Sequence, residues 1–579
     1  MITSFTGFES FRLPKDVFSF IAIPVLVVLF LATRSLESLR ALTKDWEMLL
    51  VAVLGFAGLH TLFSNYPSHS LNAWLSILNF VLLYFVLRGI STPRFQGRVW
   101  TWTSVALAAN AILTVLQYYG MFPLMLRPTG EILAGRLNPA GFVGDVNTGG
   151  FLFGFVALVL IGEVVRAANI GKRLLLGILL ILNLLGLFYT QTLTAIGAFG
   201  ACFLLWVLFH QWWLLRQGQR RAAFVFWGLL VAGLIGAGII AANSGVTDRI
   251  KVVWEQVQEG DWNLATAGRQ PVYWITWQMI KEDPWIGKGL NTFGRDFFHA
   301  RASTEYGSQV NLIDQPGSFR EAHNEYLQTW EEMGLLGILL LPALITVPLL
   351  HSARLLFREE DSERLYRLGI WSLSLIFVAI SCLTFFPLRL SATAAFIMLL
   401  MAGLRSDQTK NQVAEIWEMS DRPLLSWNPR TALLAGILVI VIPAHQQIGW
   451  WLANHETGLA AFLVNQTTTG TYDNEQRRLF AGEALRRLNR AENWAGGFYE
   501  IYNLRGSAHM VLGNYREALE NYRIAASNIP GPEVYTNLAA AHIARNELEP
   551  ARNYLELALA YNPHYQKARQ AREFLDSGH

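Results

Sequence analysis

Apolar runs of about 17 to 25 residues, broken by short polar stretches, fill the chain from Val17 to Leu452, and that is the length a helix needs to cross a hydrocarbon core. We place about twelve spans on this pattern. Eight come first: Val17–Thr33, Trp46–Ser64, Leu71–Leu87, Trp100–Tyr119, Val146–Ile161, Lys172–Thr190, Thr194–Trp213 and Ala222–Ala242. After a long loop follow Tyr326–Leu350, Leu368–Phe385, Leu390–Leu404 and Ala432–Leu452. Beyond Asn454 the apolar runs stop and charged residues become frequent. The pattern predicts an all-α chain in two parts: a polytopic membrane helix bundle over 1–453 with a large loop at 243–325, and a helical domain over 454–579. Trp46, Trp100, Trp212, Trp213, Trp450 and Trp451 fall at span ends, where amphipathic rings favour the membrane interface. The glycines of Gly233 to Gly238 read as close-packing positions between helices.

Loop charges orient the bundle. Arg34, Arg40 and Lys44 share one loop, and Arg88, Arg94 and Arg98 lie in the second loop after it. Arg166, Lys172 and Arg173, then Arg216, Arg220 and Arg221, then Arg354, Arg358, Arg364 and Arg367 continue the alternation, which Arg405, Lys410, Arg422 and Arg430 close. The turns between, Asn65–Ser70 and Gln191–Leu193, hold no Lys or Arg. Basic loops stay in the cytoplasm. Met1, Met121–Asp145, Asn243–Ala322 and everything after Asn454 are thereby expected outside.

The C-terminal part repeats itself. Tyr502/Tyr535, Ala508/Ala541, Ala518/Ala551, Ala525/Ala558 and Pro530/Pro563 recur at a constant offset, close to the period of tetratricopeptide helix pairs. Asn474–Glu492 and Tyr565–Leu575 are expected as flanking helices, the latter as a cap. Such a stack offers a concave surface to an extended chain or a helix, hence to a protein partner. The plainer reading is a stabilising appendage.

Composition narrows the chemistry. The chain is 53% hydrophobic and only 15% charged, with a net charge of +3. There is no global basic field for nucleic acid. Cys202 and Cys382 each sit inside an apolar run without CxxC spacing and read as small core side chains. The segment before the first run is polar and aromatic and lacks a small-residue cleavage site, so no cleavable signal peptide is read. No HExxH, no Asp-x-Asp pair in the outer loops and no Cys/His cluster supports a metal, and Gly287–Gly289 lacks the phosphate-loop spacing. The expected metal and cofactor complement is none.

Polar clusters at span ends are functional candidates, because charge near a membrane is costly. The first runs from Arg127 to Phe155 and carries Arg127, Glu131, Arg136, Asp145 and Asn147 among many glycines. Its guanidiniums suit bidentate binding of a diphosphate, or they pair with Glu131 or Asp145 to hold the loop. The second joins an Arg-led amphipathic helix (Arg269 onward), a Gly-rich turn, and Arg320, His323, Asn324 and Glu325 just before an apolar helix. The helix reads as interfacial. An imidazole at that boundary either hydrogen-bonds at the interface or takes a proton from an acceptor hydroxyl at neutral pH. Arg269 and Arg320 suit a departing diphosphate.

The stretch from Arg269 to Gly337, with the turn GKGLNTF and then HNEYLQTWEEMGLLG, resembles the signature region of the O-antigen ligase and O-antigen polymerase superfamily, which also holds bacterial protein O-oligosaccharyltransferases. RLNPAGFVGDVNTGGFL resembles that family's earlier outer loop. The resemblance implies metal-independent, inverting glycosyl transfer from an undecaprenyl-diphosphate-linked saccharide, at the periplasmic face of the bacterial inner membrane. It implies His323 as base or acceptor-orienting residue, with Asn324 orienting it. Arg269 and Arg136 would neutralise the leaving diphosphate. Arg320, Arg127, Asn147 and Arg389 would contact substrate, Arg389 otherwise being a snorkelling arginine. The acceptor stays open between lipid A core, growing polysaccharide and protein. Two other classes compete. A transporter or flippase is expected to show membrane repeats and broken midplane helices, whereas no membrane repeat is visible and the polar residues cluster outside. A scaffold carried on a membrane anchor needs only one or two spans.

Overall fold

A computed structural model describes residues 13–31, 45–64, 66–122, 139–303, 321–409, 429–469, 472–494, 500–528, 530–563 and 565–577. The described residues are helices and their connections, without strand. The membrane part contains α1 (Leu13–Leu31), α2 (Glu47–Thr61), α3 (Pro67–Ile90), α4 (Pro93–Tyr118), α5 (Val146–Arg166), α6 (Ile170–Tyr189), α7 (Leu193–Arg216) and α8 (Arg220–Asn243). Then come α9 (Val246–Gln258), a single turn at Trp262–Ala265, α10 (Arg269–Glu282), α11 (Phe293–Ser303), α12 (Glu325–Leu356), α13 (Ser362–Ser381), α14 (Ser391–Gln408) and α15 (Pro429–Thr469). Each predicted span falls on a helix. Among the described residues eight helices are long and apolar enough to cross a bilayer by themselves: α3 to α8, α12 and α13. The chain is a multi-pass membrane protein.

The sequence of α5 is apolar on every side, and the structure places this helix in the middle of the bundle. Phe151, Phe153, Phe155 and Val156 are all buried there against Phe377, Phe385 and Trp100. The opposite case is α8, of which only 6% of the apolar window is buried. The expectation of close helix packing at Gly233, Gly236 and Gly238 is not met, because no atom lies within 4 Å of a Cβ built at any of them. These glycines stand on a peripheral helix that faces outward. The interfacial expectation for two tryptophans also fails. Trp46 and Trp100 are buried at 3% and 1% exposure. Their indole N–H groups donate to Gln408 Oε1 at 2.9 Å and Gln96 Oε1 at 3.0 Å, which satisfies them without water.

Arg88, Arg166, Arg364, Arg367 and Arg405, drawn from several of the basic loops, are neutralised by carboxylates at one end of the bundle. Glu47 receives both Arg88 and Arg405 at 3.3 Å, and Arg405 also meets Asp45 at 2.7 Å. Asp407 takes Arg367 at 2.8 Å and the Trp371 indole at 2.9 Å, while Arg364 pairs with Glu359. Asp407→Ala removes the near partner of the half-buried Arg367, which keeps only Glu363 at 3.8 Å, a change that costs about 1–3 kcal/mol. We expect a clearly lowered unfolding midpoint in detergent, and an unchanged midpoint would contradict this role.

The other end carries α9 to α11 and the C-terminal helices α16 (Asn474–Trp494), α17 (Glu500–Leu512), α18 (Tyr515–Asn528), α19 (Pro532–Ala544), α20 (Leu548–Tyr561) and α21 (Gln566–Asp576). The repeat is visible in the helices: α17 and α19 have 13 residues each, α18 and α20 have 14. Ala508, Ala541, Ala518, Ala551, Ala525 and Ala558 are all buried where the helix pairs meet. The far half of α15 continues out of the bundle and packs through Ala453, Ala460 and Val464 on α16. In the middle of the stack, at the end of α18, the Arg295 guanidinium of α11 donates to Asn528 Oδ1 at 2.8 Å and lies 3.9 Å over the Tyr66 ring. The helical stack is therefore held at two places beside the loop helices.

Candidate functional site

The first wall is the segment before α5. Gly141 has φ +57, and a Cβ there would lie 2.4 Å from Asn110 Oδ1, so only glycine lets the chain approach α4 this closely. The Gly141 N–H donates to Gln117 Oε1 at 2.8 Å and the Phe142 N–H to Asn110 Oδ1 at 2.7 Å. The chain then reaches Asp145, whose carboxylate caps α5 by accepting from the Thr148 N–H and hydroxyl, both at 2.7 Å. Asn147 is half-buried on the first turn of that helix. Arg127, Glu131 and Arg136 lie outside the described residues.

The second wall is α9 and α10. Val246, Ile250, Val253, Trp254 and Val257 form an apolar stripe along α9, with Asp248, Lys251 and Glu255 opposite. Ile250 and Trp254 are exposed at 54% and 62%. A helix of this kind at the end of a membrane span suits the interface, and Arg249 sits on the flank of the stripe. α10 was expected at the interface too, but its apolar face packs on protein instead. Val272, Ile275 and Met279 are buried against Phe293, Phe297 and Ala322.

Arg269 opens α10 after two left-handed residues, Ala267 (φ 53) and Gly268 (φ 81). Burial lowers its pKa, with Tyr273 and Asp145 acting in the opposite direction. The pKa of Arg249 is also lowered, first by burial and then by repulsion from Arg269. The two guanidiniums are thus close enough to oppose each other. Neither is ion-paired to a carboxylate among the described residues, and the Arg249 Nε is buried without a hydrogen-bond partner among them. With the Asp145 carboxylate acting on Arg269 alone, the two cations are short of negative charge, which an anionic ligand would supply. Arg249 was not singled out in the sequence. Its one visible signal is a cation flanking an amphipathic stripe just before the Arg-led helix.

One turn along α10, Tyr273 faces the same way. Its hydroxyl donates to the His323 carbonyl at 3.0 Å, with the Leu383 carbonyl at 3.4 Å, and burial raises its pKa. Tyr273 thereby brings Arg269 and His323, widely separated in sequence, to one place. His323 itself has φ +53, an uncommon backbone for a residue with a side chain. Its ring packs edge-on against Phe386, centroids 5.1 Å apart. Asn324 caps α12, its Oδ1 accepting from the Tyr326 and Leu327 N–H groups at 3.0 Å each, which leaves the amide nitrogen as its free group for a ligand. Arg320 lies outside the described residues.

Arg389, the remaining arginine of the expected set, is held by carboxylates of α12. It pairs with Glu325 at 3.0 Å and Glu332 at 2.9 Å, both carboxylates being buried. The two carboxylates face the planar guanidinium fork and fix its position.

The turn Trp285–Gly289 explains the remaining motif. The Lys288 and Gly289 N–H groups donate to the Glu331 and Glu332 carbonyls at 3.0 and 2.9 Å, and the Leu335 N–H donates back to the Trp285 carbonyl at 3.2 Å. This exchange needs α12 to break at Gly334, where φ is 65 and ψ −162. His60 Nε2 and the Ser70 hydroxyl hold the same turn from α2 and α3 through the Ile286 and Leu290 carbonyls, at 2.7 and 2.8 Å.

Residues 178–341, from the middle of α6 to the middle of α12, match the family described as O-antigen ligase. No curated protein matches the chain.

Proposed function

We propose, from the match of residues 178–341 to the O-antigen ligase family, that the chain is a member of that superfamily and transfers a glycan from an undecaprenyl-diphosphate-linked donor to an acceptor hydroxyl. The observation that carries this reading is the pair Arg249 and Arg269, neither in an ion pair among the described residues, with Tyr273 on the same helix bonded to the His323 carbonyl. The acceptor oxygen attacks the anomeric carbon, the bond from that carbon to the diphosphate breaks, and the configuration inverts. His323 takes the acceptor proton, a task suited to an imidazole near neutral pH. Arg249 and Arg269 hold the negative charge that grows on the departing diphosphate, which is where electrostatic stabilisation counts most. Arg136, Arg127 and Arg320 are proposed to add to this cation set, and Asn147 and the Asn324 amide nitrogen to contact substrate. No metal is required by this scheme. The basic end of the bundle is assigned to the cytoplasm, which puts the site and the helical stack on the periplasmic side of an inner membrane. The stack, read as tetratricopeptide-like, then stands where an acceptor or a protein partner would approach.

Arg249→Ala and Arg269→Ala are each expected to weaken donor binding roughly 10- to 100-fold, as befits loss of hydrogen bonds to a charged group. Equilibrium binding of a labelled lipid-linked donor to protein in nanodiscs measures this. A double variant that binds donor as tightly as the unmodified protein sinks the reading.

A further inference from the structure

We infer that Gln328, Glu332, Arg389 and Glu325 form a positioning circuit that holds His323 in its left-handed backbone conformation. This rests on the transferase reading above. A residue with a side chain at φ +53 costs of order 1–3 kcal/mol and persists only where its surroundings fix it. The surroundings here can be followed bond by bond. On one side, the Ala322 N–H donates to Gln328 Oε1 at 2.8 Å. Gln328 Nε2 donates to Glu332 Oε1 at 2.9 Å. Arg389 then bridges Glu332 and Glu325, reaching Glu332 through Nη1 and Glu325 through Nε. On the other side of His323, the Glu325 N–H donates to the Cys382 carbonyl at 2.8 Å, which ties the start of α12 to the end of α13. The circuit closes under the ring, because the Arg389 N–H donates to the carbonyl of Phe386 at 3.2 Å, and Phe386 is the residue on which the imidazole packs.

The chemistry of each member fits this role. Gln328 is buried at 1% exposure and must accept from a backbone N–H while donating to a carboxylate. Among side chains of that length only an amide does both. Arg389 presents a planar fork to two carboxylates on one face of a helix, seven residues apart, which a lysine cannot match geometrically. None of the four needs to touch substrate. They act through the place and angle of His323, and a small misplacement of a catalytic group is costly in rate.

The test uses full-length protein in proteoliposomes with a labelled lipid-linked donor, comparing Gln328→Met, Arg389→Met and Arg389→Lys with the unmodified chain. Gln328→Met is isosteric and leaves every charge in place. It is expected to lower kcat at least 10-fold with the donor KM unchanged within twofold. Arg389→Met is expected to do the same or worse, and Arg389→Lys to recover part of the loss. If Arg389→Met fails to give a monodisperse protein, Gln328→Met decides alone. A kcat unaffected by Gln328→Met overturns the circuit. So does a raised donor KM at constant kcat in Arg389→Met, which would make Arg389 a substrate ligand after all. No transfer by the unmodified protein to any acceptor would instead count against the transferase reading itself.

Discussion

His323→Ala is expected to lower kcat for glycan transfer by about 10²–10⁴-fold, the usual contribution of a positioned general base. The fold should survive. The groups that hold this turn act on its backbone, namely the Tyr273 hydroxyl on the His323 carbonyl and Gln328 on the Ala322 N–H. A companion variant, His323→Asn, separates chemistry from backbone, since asparagine accepts the left-handed conformation readily but cannot take up the proton. Both variants should insert and purify like the unmodified protein, and both should bind donor. Steady-state transfer rates together with donor binding check the pair. Substantial turnover by either would remove His323 from the role of base.

Gly334→Ala should damage the whole site. Its φ of 65 and ψ of −162 belong to a region open essentially to glycine alone, and an added Cβ would lie 2.2 Å from the Trp285 carbonyl oxygen. Strain and overpacking together cost roughly 2–6 kcal/mol. The chain would relieve them by separating the 285–289 turn from α12. That separation breaks the backbone exchange at Glu331 and Glu332 and so disturbs the carboxylate that holds Arg389. We expect a lower unfolding midpoint and loss of transfer in the same variant. A protein that melts and turns over like the unmodified one would contradict the assigned role of this break.

Much of this arrangement is legible in the sequence because it rests on local rules. Span length places the helices, loop arginines gather at one end, and small residues repeated at constant spacing give the stacked helix pairs. Arg269 and His323 stand out because each is a polar residue at the edge of an apolar run. What the sequence hides are the pairings. Nothing local says that Arg389 meets Glu325 and Glu332, since the three approach only when α12 and the turn before α14 fold together. Arg249 is hidden by its helix, whose exposed charges look like any solvated face until Arg269 is found opposite. The glycines at 233–238 mislead for the converse reason. Small residues permit close packing, but whether a partner helix lies alongside is decided by the rest of the bundle, and here α8 is left at the edge.

The central claim is that this protein moves a glycan from a lipid diphosphate to an acceptor, using the cations around Arg269. The direct measurement offers a radiolabelled undecaprenyl-diphosphate oligosaccharide to purified protein in proteoliposomes, with lipid A core, free glycan and a periplasmic protein supplied separately. We predict that label moves covalently to one of the three and that Arg269→Ala abolishes the movement. Label that reaches no acceptor, but crosses the membrane still attached to its lipid, would contradict the transferase and make the protein a transporter.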